Sequence, residues 1–293
     1  MQDLIAKANT LHEALPYLQK FRGATFVVKY GGSFMDSPDP AVRNGVARDI
    51  VFLEAAGINP VVVHGGGKAI TRAMEQSGLQ ANFIQGQRVT DEAIVTIVDE
   101  VLSRQINPEV VATIAGLGGR VQRFAGTDIF TCRKLWLEDK TMPGRKIDIG
   151  YVGEVTGVNT APLLECIARG ITPVISPTAR DAEGRVYNCN ADVAAAQAAI
   201  ALKARRLVFM SDVPGLMLDP KKPDTVIAHL HISEVAGLKQ TGVIDKGMIP
   251  KIDSAVAAIQ AGVEKVSLVD GRVPHAVLLE IFTDKGVGTE MVP

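Results

Sequence analysis

VVKYGG (residues 27–32) and VVVHGGGK (residues 61–68) each run from continuous apolar residues straight into glycines. Short runs apolar on every residue suit strands covered on both faces. Glycine admits positive φ and lets the backbone approach a ligand closely. Free N–H groups at such a strand-to-helix turn hold anions. Lys29, two residues before Gly31, points out near the strand end. A lone KxGG is an ordinary turn, but three consecutive glycines at 65–67 are entropically costly for a corner alone. Lys68 suggests a P-loop, yet residue 62 is Val and Lys68 is followed by Ala69, so G-x-x-x-x-G-K-[ST] is not met. Neither loop holds G-x-G-x-x-G. The reading is a phosphate-handling α/β protein of neither common type.

Working outward, strands are predicted over 24–30, 59–65, 171–177, 205–211 and 265–270, and helices over 40–56, 68–77, 91–104, 191–203 and 250–262. This alternation predicts an α/β fold with a largely parallel sheet. Glu183-Gly184 reads as a hairpin turn, and the turn-rich stretch 128–157 reads as hairpins added to the parallel core. A boundary is placed near residue 203, where the Ala-rich helix ends. In the first twenty residues Leu4, Ala8, Leu11, Leu15 and Leu18 form one apolar helical stripe, kinked by Pro16. That stripe packs either on its own chain or on another subunit.

At 293 residues the chain makes one large domain or two modest ones. With 47% apolar and 22% charged residues it can bury a core. Lys and Arg number 31 against 32 Asp and Glu, a net charge of −1, which disfavours binding nucleic acid through phosphates. No apolar run reaches the roughly 18 residues of a membrane span, and MQDLIAKANTLHEALPYLQKF does not read as a secretory signal. Cys132, Cys166 and Cys189 are odd in number and widely spaced, which excludes a disulfide scaffold, disfavours a zinc site and suggests reduced thiols in the cytoplasm.

Later stretches add candidates. GQRVTDE (86–92) places Arg88 before a helix capped by Thr90 or Asp91, in a loop suited to a carboxylate. YNCNAD (187–192) sets Asn188, Asn190 and Asp192 at the mouth of the Ala-rich helix; one of them suffices as the cap, and three exceed what capping needs. FMSDVPGL (209–216) runs a strand into Ser211, Asp212, Pro214 and Gly215, a loop suited to a nucleotide. GMIPK (247–251) puts Lys251 at a helix start, against the helix dipole, which hints at an anionic ligand. The five histidines show no pattern, and His64 reads as a packed residue.

In this order and spacing, VVKYGGS, VVVHGGGK, GQRVTDE, YNCNAD, SDVPG and GVIDKGMIPK resemble the amino-acid kinase family along nearly the whole chain. Within it they resemble the members that phosphorylate N-acetyl-L-glutamate in arginine biosynthesis. The resemblance implies a three-layer αβα sandwich of two lobes, here 23–203 for the acyl amino acid and 204–293 for ATP, with 1–22 as a separate helix. It implies MgATP as co-substrate and no tightly bound cofactor or structural metal. Lys29 and Lys251 would flank the transferring phosphoryl group, with Asp192 holding both. Gly31, Gly32 and Gly66 would offer N–H groups. Gly66, Gly67, Arg88 and Asn188 would bind acetylglutamate, Arg88 taking its α-carboxylate, and Asp212 and Gly215 would lie along the nucleotide. Ser33, Lys68-Ala69 and Gln87 depart from the usual Asn, Pro and Leu beside the acyl-amino-acid site.

The resemblance also gives the N-terminal helix a meaning. Arginine-inhibited members carry one that links dimers into a hexamer, so L-arginine is expected as an effector. Glu280, Gly286 and Gly288 would form its site, with Lys203, His275 and Tyr17 as further candidates. Some members bind the PII signalling protein, which stays an open partner. The competing readings are a kinase for a neighbouring acid, such as acetylaminoadipate, free glutamate, carbamate or a nucleoside monophosphate, and a non-catalytic arginine sensor.

Overall fold

The uninterrupted apolar runs become the central strands. A computed structural model describes residues 1–293 except Lys140 and Lys246, and except the side chains of Asp3, Ala6, Lys7, Ser33 and Phe34. The Ser33 side chain, and Lys246 within GVIDKGMIPK, therefore lie outside the described residues. In chain order the strands are β1 (Thr25–Tyr30), β2 (Asn59–His64), β3 (Phe83–Ile84), β4 (Gln87–Arg88) and β5 (Val121–Phe124). Next come β6 (Phe130–Glu138), β7 (Lys146–Val158), β8 (Thr172–Ile175), β9 (Thr178–Arg180) and β10 (Val186–Cys189). The last are β11 (Arg206–Ser211), β12 (His229–His231), β13 (Lys265–Asp270) and β14 (Thr289–Val292). The helices are α1 (Gln2–Phe21), α2 (Pro40–Arg43), α3 (Gly45–Ala55), α4 (Gly67–Gln76), α5 (Glu92–Asp99) and α6 (Asn107–Gly116). They continue as α7 (Gly126–Ile129), α8 (Ala161–Ala168), α9 (Ala191–Ala201), α10 (Val235–Gln240), α11 (Met248–Gln260) and α12 (Ala276–Ile281).

Eight strands form one sheet in the order β12-β14-β13-β11-β1-β2-β8-β5. Every pairing in it is parallel except β13 with β14. Helices cover both faces, giving the expected three layers. On one face Val27, Val61, Val63, Leu207 and Phe209 pack under the alanines of α9 and α11. On the other, Phe26, Val28, Val62, Val208 and Met210 pack against Ile50 and Leu53 of α3, Ile114 of α6 and Val277 of α12. Side chains alternate between these faces with a period of two along each strand. Lys29 shares the face of Val27, toward α9 and α11, while Tyr30 and His64 fall on the face of Val28 and Val62. Ala side chains let α9 lie close to β1.

The hairpin around Glu183-Gly184 forms as β9 and β10, and 128–157 folds as the long hairpin β6–β7. With β9 and β10 they close into a four-stranded ring. Three features differ from expectation. The helix expected over 40–56 is two, broken at Asn44, with Asp39 capping α2 through the Ala41 N–H at 2.8 Å and Pro40 opening the helix. The helix expected over 91–104 continues through a π-helical segment, Glu100–Ile106, into α6. Pro108 has no N–H to donate, and a locally widened turn accommodates it. Strands β3, β4, β5, β12 and β14 lie outside the expected set; all are short, and β5 is only half-buried.

Helix α1 docks through its C-terminal turn. Phe21 is buried edge-on against Phe26 of β1, ring centroids 5.2 Å apart. Leu4 and Leu11, 63% and 69% exposed, leave the earlier part of its apolar stripe uncovered by its own chain. Among the described residues no helix is long and apolar enough to cross a membrane. Replacing Phe26, fully buried on β1 against Phe21 of α1, with Ala is expected to lower stability by about 3–5 kcal/mol in urea unfolding.

Candidate active site

Lys29 leaves β1 at its C-terminal end toward α9. Asp192 sits in the first turn of α9, whose N-cap is Asn190; the Asn190 side chain accepts from the N–H of Asp192 at 2.8 Å and of Val193 at 3.4 Å. Lys251 lies in the first turn of α11, beside α9. Asp192 Oδ1 is 3.2 Å from Lys29 Nζ, and its Oδ2 accepts from Lys251 Nζ at 2.9 Å. The three side chains are 14%, 15% and 10% exposed for Lys29, Asp192 and Lys251, so water screens them weakly. Lys251 also stands 4.9 Å from the ring centroid of Phe209. Burial alone would raise the Asp192 carboxyl; the charges of Lys29 and Lys251 and their hydrogen bonds overcome it and hold it at about 2. Burial, with the like charge of Lys29, pulls Lys251 below the usual ammonium range against the attraction of Asp192. The result is two cations held close by one anion, a net positive site at a helix mouth.

The glycine loops meet beside this trio. A Cβ on Gly31 would lie 3.1 Å from Gly65 Cα and N, so the two turns touch backbone to backbone. A Cβ on Gly66 would come within 2.5 Å of Leu102 and Ile106 side-chain carbons. Together Lys29, Gly31, Gly32, Gly66, Gly67, Arg88, Asn188 and Asp192 line one cavity of about 280 Å³. Gly32, Gly66 and Gly67 also border a second cavity of about 260 Å³, which Asp212 and Lys68 line. Gly215 lines neither cavity: a Cβ there would meet Thr289 Oγ1 at 2.6 Å, and that oxygen accepts from the N–H of Leu216.

Arg88 is buried in β4 of a small hairpin that the sequence did not reveal. Gln85 and Gly86 turn this hairpin with φ of 49° and 81°. Its guanidinium donates to Gly67 O and Thr71 Oγ1, both at 2.9 Å, and to Met74 Sδ at 3.2 Å, and its carbon stands 4.7 Å from the centroid of Phe83. Thr71 and Phe83 escaped the sequence reading. Thr71 lies one helical turn after Gly67, a spacing that could have flagged it. Asp91, not Thr90, caps α5; Thr90 Oγ1 instead donates to Arg88 O at 2.7 Å and accepts from Asn188 Nδ2 at 3.3 Å. Gln87 also lines the cavity of Arg88, while Ala69 faces the one beside it.

The residues singled out near the C-terminus divide. Tyr17, Glu280, Gly286 and Gly288 line a third cavity of about 130 Å³, with Arg206, Lys265 and Glu290. Glu280 is buried and accepts from the N–H of Val287 at 2.9 Å. Gly286, at φ 61°, approaches so closely that a Cβ would lie 2.6 Å from Glu280 Oε2. Tyr17 donates to Asp284. Lys203 and His275 are not among the lining residues. Lys203 ends the turn after α9 at φ 49°, and His275 pairs with the buried Asp49 at 3.0 Å. Among the described residues no group of three or more His, Cys, Asp or Glu is arranged around a metal ion.

A sheet with helices on both faces, glycine turns at its strand ends and a lysine–aspartate–lysine trio marks a class. The model of the amino acid kinase family matches residues 24–270, and the chain belongs to that family. It is 46% identical to an acetylglutamate kinase of Akkermansia muciniphila, over 99% of this chain and 96% of that protein. Among solved structures, N-acetylglutamate synthase from Neisseria gonorrhoeae, complexed with coenzyme A and N-acetyl-glutamate, superposes with a TM-score of 0.83 at 26% identity. That match covers 98% of this chain and 63% of the synthase chain. The same synthase complexed with coenzyme A and L-arginine gives 0.78, also at 26% identity, over 96% of this chain and 64% of that one.

The Asp192 carboxyl titrates lower in the folded chain than its ordinary 3.8. Its stabilising contribution is therefore complete at neutral pH and lost as pH falls from about 4 toward about 2, on the order of 2 kcal/mol in all. Asp192→Asn is expected to be less stable than wild type at pH 7, with that gap shrinking across the same acid range in urea titrations.

Proposed function

We propose that this chain transfers the γ-phosphoryl group of MgATP to the side-chain carboxylate of N-acetyl-L-glutamate, yielding N-acetyl-L-glutamyl 5-phosphate for arginine synthesis in the cytoplasm. The observation that carries the reading is the Lys29–Asp192–Lys251 arrangement beside two glycine turns and a buried arginine. Full-length identity to an acetylglutamate kinase supports the substrate. A glutamate side-chain carboxylate, with a pKa near 4.3, is already ionised at neutral pH and needs no general base. What the reaction needs is in-line positioning and neutralisation of phosphoryl charge. Lys29 and Lys251 neutralise that charge, and Asp192 fixes their ammonium groups. The N–H groups of Gly31, Gly32 and Gly66 add donors, and the magnesium ion enters with ATP as substrate. Arg88 takes the α-carboxylate, its guanidinium preset by Gly67, Thr71 and Met74. Gly67 and Asn188 complete the acetylglutamate pocket. Asp212 lies along the nucleotide, and Gly215 shapes its loop by packing on Thr289. The acetylglutamate lobe spans 23–203 and the ATP lobe 204–293, joined where β1 pairs with β11.

The same reading includes control by L-arginine. Buried Glu280 offers a carboxylate for a guanidinium, and Gly286 and Gly288 bring backbone close to it. Tyr17 of α1 closes the cavity, whereas Lys203 and His275 stand apart from it. The uncovered Leu4 and Leu11 suit helix-to-helix contact between dimers in a hexamer, since apolar stripes seek cover.

ADP release should be measured with MgATP and N-acetyl-L-glutamate, L-glutamate, N-acetyl-L-aspartate or N-acetyl-L-aminoadipate, with and without L-arginine. Turnover is expected with acetylglutamate and is suppressed by arginine. Preference for the aminoadipate would reassign the substrate, and no turnover in a folded, ATP-binding chain would leave a sensor. Lys251→Met is expected to lower kcat by about 100-fold or more while acetylglutamate still binds. Leu11→Asp is expected to reduce a hexamer to dimers in sedimentation velocity; an unchanged hexamer would detach assembly from this stripe.

A further inference from the structure

We infer that His64 is a positioning residue: by gripping the Gly65 carbonyl, it aims the Gly66 N–H at the transferring phosphoryl group. This role rests on the chain being a kinase. His64 ends β2 and is fully buried directly below the triple glycine. Strand alternation puts its ring on the face opposite Lys29 and Asp192. Its Nδ1 lies 2.8 Å from Gly65 O. A carbonyl oxygen only accepts, so Nδ1 carries the hydrogen. Nε2 is buried and, among the described residues, has no hydrogen-bond partner. Burial holds the imidazole pKa down at about 4, against the pull of the Gly65 bond, so the ring stays neutral at physiological pH. An unpaired buried nitrogen costs stability that Phe or Leu would not. What an apolar residue could not supply here is the Nδ1–H donor.

That donor acts on the next peptide. The Gly65 carbonyl and the Gly66 N–H belong to one plane and point in opposite directions. With the carbonyl drawn toward the buried ring, the N–H points away from it, toward the cavity that Gly65 and Gly66 line with Lys29 and Asp192. Among the described residues, no hydrogen bond from the Gly66 N–H occurs within the chain. Glycines on both sides leave this peptide free to flip. The Gly65 N–H is anchored on Tyr30 O at 2.7 Å, and His64 fixes the peptide beyond it.

The test compares His64→Asn, whose amide Nδ2 can take the place of Nδ1, with His64→Phe, which fills the site without a donor. Wild-type turnover of acetylglutamate comes first; its absence would defeat the kinase reading and leave the contact itself to be judged separately. His64→Phe is expected to lose kcat by about 10- to 100-fold with KM for both substrates little changed, and His64→Asn to recover most of it. A fully active Phe variant, or an Asn variant as impaired as Phe, would overturn the inference. Should the variants not fold, ring nitrogen shifts of the 15N-histidine-labelled wild-type chain decide it, with five histidines to resolve. Hydrogen on Nδ1 of His64 is expected, and hydrogen on Nε2 instead would refute the grip.

Discussion

The structure of the site depends on one carboxylate shared between two ammonium groups. Lys29 and Lys251 come from different halves of the chain, and without Asp192 they would repel each other in a poorly hydrated corner. With it they stand within 3.2 Å and 2.9 Å of a common partner. The arrangement requires three placements at once. Lys29 must fall on the α9 face of β1, α9 must begin at residue 191, and α11 must run beside α9. Strand alternation, the Asn190 cap and the small alanines between helix and sheet supply them in turn.

The second constraint is steric. Gly31 and Gly65 end neighbouring parallel strands in matched register, Tyr30 beside His64. Their turns lie side by side in close approach, and a Cβ on Gly31 would push Gly65 aside by a few tenths of an ångström. Gly66 then rests on Leu102 and Ile106, which belong to the π-helical segment. The widened turn before Pro108 thus helps form the floor of the glycine loop, which joins a helix irregularity to the shape of the site.

Much of this was legible in the residues. The five central strands and the Ala-rich helix follow from uninterrupted apolar runs and the Asn cap, and Lys29, Asp192 and Lys251, singled out in separate stretches, come together with the lysines 3.2 Å and 2.9 Å from the Asp192 carboxylate. What escaped was set by tertiary contact. The two-residue strands around Arg88 have no periodicity to read, and Thr71 and Phe83 matter only because the hairpin folds over α4. Strands β5 and β14 are too short and mixed in polarity to announce themselves. The continuation of α5 through Pro108 defeats the rule that proline ends a helix. His275 looked like a ligand for an effector, but Asp49, buried on α3, captures it in a contact 226 residues apart in sequence.

That last contact bears on how the C-terminal cavity would speak to the rest of the molecule. Asp49 also accepts from the N–H of Val277 at 3.2 Å, tying α12 to α3 at its first turn. At the other end of α12, Phe282 meets Tyr17 of α1 and Phe52 of α3 edge-on. Helices α1, α3 and α12 are therefore packed on one another, and Glu280 of α12 lines the cavity beside them. Tyr17, Lys20 and Phe21 of α1 line that cavity, so its occupancy would bear directly on how α1 docks. From that cavity β13 and β11 run in continuous parallel register to β1, and Phe21 of α1 touches Phe26 of β1 directly. Such a sheet transmits displacement only if two arrangements of the whole body are close in energy.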